Sequence, residues 1–133
     1  ILYTPNLEPK TDLTALCRAL AGAMLAVRED DGRQVFPTGG TRVLAFPAAH
    51  YAVADGKGDY GFMYLNLRMG PGRSDAVKQR AGDTLLGTVK RHFAPIFERE
   101  LIGITVQVDE SPGQVYDGKH SMLHPLFAAP PAP

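Results

Sequence analysis

The sequence predicts an α+β fold: two fused βαβ units forming a four-stranded mixed sheet with two helices on one face. Strand-like and helix-like stretches follow one another as β-α-β-β-α-β, and this order is doubled. Strand starts near residues 1 and 41 are matched by starts near 61 and 101. Each crossover helix makes its two strands parallel, and right-handed crossovers put both helices on the same side. The 133 residues suit a single domain, expected over 1–127. It divides into two pseudo-repeats (about 1–58 and 59–110) and a C-terminal segment, with a flexible Ala/Pro-rich tail at 128–133.

The first strand is the short β-prone run Ile1-Leu2-Tyr3-Thr4, stopped by Pro5-Asn6. Pro9-Lys10-Thr11-Asp12 opens a helix, with Thr11 expected as N-cap and Asp12 favourable at the positive end of the helix dipole. Leu13, Leu16, Cys17, Leu20, Met24 and Leu25 give it an apolar stripe, and the polar run Arg28 to Gly32 ends it. After the turn-rich Phe36-Pro37-Thr38-Gly39-Gly40, a second strand is expected over Thr41–Phe46. Asp55 to Asp59 is a turn, and the third strand follows over Tyr60–Met69, its later part alternating polar and apolar. Ser74 caps a long second helix whose stripe runs from Val77 to Phe97. Pro95 is expected to end or kink it near His92–Ala94. Leu101–Val108 is the last strand. The sheet face away from the helices is expected to be apolar, and thus buried in an oligomer.

Composition narrows the function. Lys and Arg number 14 and Asp and Glu number 14, so the net charge is zero, and a protein devoted to covering phosphate backbone is disfavoured. One cysteine, Cys17, excludes an internal disulfide framework. No apolar run reaches the ~18 residues of a membrane span, and a cytoplasmic location is expected. A chain start at Ile1 rather than Met suggests that a few residues precede it.

The chemistry-bearing candidates are two arginines. Gly70-Pro71-Gly72-Arg73-Ser74-Asp75 combines glycines that allow close backbone approach, a helix N-terminus, and Arg73, whose planar fork suits a carboxylate. Arg42 lies within an otherwise apolar strand. Two arginines at matching places in the repeats would hold a substrate with two carboxylates. Each also admits a plainer reading, as a solvated side chain on a turn or sheet face. His120 and His124 stand four residues apart but lack an acidic partner, a weak metal signal. Leu2–Leu7 and Lys57–Tyr64 approximate the two strand motifs of RNA-recognition domains, which keeps an RNA-binding ferredoxin-like module as an alternative. Asp59 breaks the register of the second motif, and the second helix is too long for such a domain.

Several residues together carry a more specific likeness. They are Arg42 on strand 2, Ala54-Asp55-Gly56 and Asp59-Tyr60 before strand 3, Gly70, Gly72, Arg73 and Ser74 opening helix 2, and the closing His124, Leu126 and Phe127. In this order and spacing the chain resembles the 5-carboxymethyl-2-hydroxymuconate isomerases, relatives of 4-oxalocrotonate tautomerase. The resemblance implies a cofactor-independent, metal-free isomerase of aromatic-compound (homoprotocatechuate) catabolism, acting on a di- or tricarboxylate dienol. It implies a homotrimer, with neither nucleic acid nor membrane as partner. The general base would be the secondary amine of an N-terminal proline, about four residues upstream of Ile1. Arg42 and Arg73 would be the catalytic arginines holding substrate carboxylates. The alternative within the same fold is a non-catalytic anion-binding trimer.

Overall fold

Alternation along the third strand organises the molecule. The computed structural model describes residues 1–130, and in it Gly61–Met69 is one nine-residue strand, β3. Met63, Leu65, Leu67 and Met69 are buried while Asn66 and Arg68 are exposed, as a period of two requires. The remaining strands are β1 (Leu2–Tyr3), β2 (Phe46–Pro47) and β4 (Ile102–Glu110). They assemble in the order β2-β1-β3-β4, with β1 parallel to β2, β1 antiparallel to β3, and β3 parallel to β4. Helix α1 (Leu13–Ala26) joins the first parallel pair and α2 (Asp75–Phe97) the second. This is the expected mixed sheet. Neighbouring β1 and β2 also separate it from the split βαβ order of a ferredoxin-like module.

The core lies between the sheet and the two helices. Leu16, Leu20 and Met24 of α1 meet Val77, Ala81, Leu85, Val89 and Phe93 of α2 over the inner face of β3. Each such side chain contributes roughly 1.5–3 kcal/mol of apolar burial. Ile102, Ile104, Val106 and Val108 of β4 pack at the margin of this cluster.

Four local expectations are corrected. Asp12, not Thr11, caps α1: its carboxylate accepts from the Ala15 N–H at 2.9 Å. The Thr11 hydroxyl is engaged instead with His92 Nε2 at 2.8 Å. Helix α2 runs through Pro95 to Phe97: the proline removes one backbone hydrogen bond, and buried Phe93 and Ile96 anchor the final turn. The second strand is assigned only at Phe46–Pro47, since β1, its ladder partner, is itself two residues long. The uncovered sheet face is only half apolar. Leu2, Leu44 and Phe46 are exposed on the β1–β2 side. Toward β4 the face turns polar, with Tyr64 donating to Gln107 Oε1 at 2.9 Å and Asn66 Nδ2 to Asp109 Oδ2 at 2.6 Å.

The turn before β3 has a structural role. Asp59 accepts from Asn6 Nδ2 at 2.9 Å and from Lys10 Nζ at 2.7 Å, pinning the segment after β1 to the start of β3. Lys10 also pairs with Glu100 at 3.0 Å, ahead of β4. Beyond β4, the chain returns across the molecule to a short helix, α3 (Leu123–Leu126). The expected flexible tail overlaps the described residues only at 128–130; its last three residues lie outside them.

Candidate active site

Arg42 and Arg73 are 31 residues apart in sequence, yet they line one pocket of about 390 Å³ beyond the start of β1. Met24 and Phe36 form part of its apolar wall, and Thr41, Asn66 and Arg68 add polar groups. A smaller cavity of about 210 Å³ adjoins it through Met24, Arg42, Asn66 and Leu67, and reaches Ile1. Together they form a lane between residues 41–44 and residues 66–69, continuing the line of β1.

Two loops deliver the arginines. Gly72 takes φ +104°, a conformation disfavoured for residues with a side chain, and so turns the chain between β3 and α2. Arg73 follows at once. Its Nη1 donates to Gly70 O and its Nη2 to Val35 O, both at 3.2 Å, and its guanidinium lies 5.3 Å from the Phe36 ring centroid. Two carbonyls and a ring face thus hold the fork in place, and a guanidinium carries five N–H donors, so others remain for an anion. The helix end behind it is capped by Ser74, whose Oγ accepts from the Val77 N–H at 3.2 Å.

Arg42 follows the 3₁₀ turn Thr38–Gly40. That turn is braced from behind, because Gly39 lies directly against the backbone of Leu123 and His124 in α3. Arg42 is exposed and forms no ion pair among the described residues. An arginine within an apolar strand ordinarily has a charged partner. Arg42 lines instead a pocket that Arg68 and Arg73 also line.

Arg68 is the residue that sequence reasoning missed. The signal was the alternation of β3, which places Arg68 on the polar side beside Asn66 while Leu67 and Met69 go inward. Of the other candidates, Cys17 is half-buried on α1 and burial pushes its thiol pKa up. His124 sits on α3 with Nδ1 3.3 Å from Ser121 Oγ.

This site lies on a fold with known counterparts. A crystal structure of a 5-carboxymethyl-2-hydroxymuconate delta-isomerase superposes with a TM-score of 0.91 at 52% identity, over 98% of this chain and 92% of that one. A 5-carboxymethyl-2-hydroxymuconate isomerase from Deinococcus radiodurans R1 superposes with a TM-score of 0.82 at 31% identity, over 96% and 91%. The Escherichia coli 5-carboxymethyl-2-hydroxymuconate Delta-isomerase is 31% identical over 122 residues, 92% of this chain and 91% of that protein. The 5-carboxymethyl-2-hydroxymuconate isomerase family model matches residues 1–127. With fold and sequence in agreement over nearly the whole chain, the protein belongs to the 5-carboxymethyl-2-hydroxymuconate isomerase family.

Proposed function

We propose that this chain converts 5-carboxymethyl-2-hydroxymuconate, or a similar dienol carboxylate, to its unsaturated keto form. Arg42 and Arg73 hold the substrate carboxylates, and the secondary amine of a proline upstream of Ile1 is the base. The observation that carries this reading is the position of the two arginines at the far end of the lane that continues β1.

The register makes the geometry concrete. Leu2 pairs with Phe46 on one side and Tyr64 on the other, and the Ile1 nitrogen donates to Leu44 O at 2.7 Å. About four further residues in the same ladder would run beside residues 41–44 and 66–69. The first of them would lie between Thr41 and Met69, next to both arginines.

An amine there needs no cofactor to act as a base. Burial and two neighbouring guanidinium charges both disfavour its protonated form and lower its pKa. The neutral amine takes the proton of the 2-hydroxyl, and the C=O forms as the diene shifts. The ammonium then returns a proton to the carbon chain, so no net proton is gained or lost. The arginines stabilise the enolate-like charge that develops meanwhile.

The exposed Leu2, Leu44 and Phe46 support a homotrimer that buries this face. Among the described residues no helix is long and apolar enough to cross a membrane, which is compatible with cytoplasmic catabolism of an aromatic acid.

The test is an ultraviolet assay of dienol ketonisation by the full gene product, with its N-terminus established by intact mass. Turnover by a product that begins with proline is expected. A product with a different first residue that binds the dienol without turnover would instead identify an anion-binding relative.

A further inference from the structure

A third arginine, Arg68, lines the same pocket, and its cross-strand partner is engaged elsewhere. Register pairs Arg68 of β3 with Asp109 of β4, directly across the ladder. A salt bridge would be the ordinary outcome for such a cross-strand pair. It does not form: Asp109 Oδ2 accepts from Asn66 Nδ2 at 2.6 Å. Arg68 makes only a long contact, Nη2 to Ser111 Oγ at 3.5 Å, and no ion pair among the described residues. Three arginines that form no ion pair among the described residues therefore line one pocket, and their summed positive charge favours a bound polyanion.

We propose that Arg68 is a specificity residue that binds the third carboxylate of a tricarboxylate dienol, with Asn66 holding Asp109 aside to keep it available. This rests on the proposed function, whose substrate is a muconate with two terminal carboxylates and a carboxymethyl arm. Arg42 and Arg73 account for two anionic groups, and Arg68 for the remaining one. The site thereby prefers the branched triacid to a linear diacid dienol.

The experiment compares wild type, Arg68→Gln and Arg68→Lys on two substrates, 5-carboxymethyl-2-hydroxymuconate and the diacid 2-hydroxymuconate. Loss of one charge-assisted contact is expected to raise KM for the triacid about tenfold more than KM for the diacid, with kcat for the triacid little changed. Arg68→Lys, which keeps the charge, is expected to recover most of the difference. Equal changes on both substrates, or none, would overturn the assignment, because a merely structural role moves both together. Wild type inactive on both substrates would count against the proposed function instead. Calorimetric binding of propane-1,2,3-tricarboxylate against glutarate then decides the role of Arg68 without turnover. Selective loss of the tricarboxylate in Arg68→Gln supports it, and parallel loss or no loss overturns it.

Discussion

Gly39 and His124 are in backbone contact: a Cβ added to Gly39 would sit 2.8 Å from His124 Cα, 2.9 Å from its nitrogen and 2.9 Å from Leu123 O. The C-terminal segment is thereby seated on the turn that delivers Arg42. Backbone atoms cannot step aside as a flexible side chain would, so α3 or the turn must move if the position gains a methyl group.

Gly39→Ala is accordingly expected to destabilise the protein by about 1–3 kcal/mol, the usual cost of overpacking. Denaturant unfolding measures it, and proteolysis between Ser111 and Met122 should accelerate as α3 lifts. An unchanged denaturation midpoint would show that the contact does not hold the segment.

His92 gives stability a pH dependence of known sign. Burial pushes its pKa below the usual value, and the Asp12 carboxylate offsets this only in part. The unfolded chain, with an imidazole near 6.5, therefore takes up the proton first as pH falls. The contribution is complete above about pH 6.5 and is lost on acidification through the folded-state pKa. The melting temperature should fall between pH 7 and pH 5, and His92→Gln should flatten part of that slope. An identical slope in the variant would remove His92 as its source.

The long elements were legible because several local signals agreed. Ser74 is a cap, the Val77–Phe97 stripe has helical spacing, and the structure forms α2 from Asp75 to Phe97. Cap chemistry alone was ambiguous at Thr11 and Asp12, since either oxygen can reach the first helical N–H groups. His92, 81 positions away from Thr11, decided between them by taking the Thr11 hydroxyl. Pro95 misled because propensity records its lost hydrogen bond but not the burial of Phe93 and Ile96 around it.

The site was legible in the same uneven way. Arg73 stood out through its glycines and Arg42 through its apolar strand, and both line the pocket. Arg68 was hidden because an exposed arginine in an alternating strand is ordinary. Only the cross-strand choice of Asp109 for Asn66 sets it apart, and that choice is made by residues 43 positions away. The half-polar outer face was hidden for a similar reason: the Tyr64–Gln107 pair exists only once β4 lies in register with β3.

The most direct measurement of the central claim is kcat/KM for dienol ketonisation in Arg42→Ala and Arg73→Ala, each compared with wild type. A loss of about tenfold or more is expected for each, since each removes a charged contact that strengthens as the enolate forms. Wild-type kcat/KM in either variant would contradict the assignment of the paired guanidinium groups to the reacting substrate.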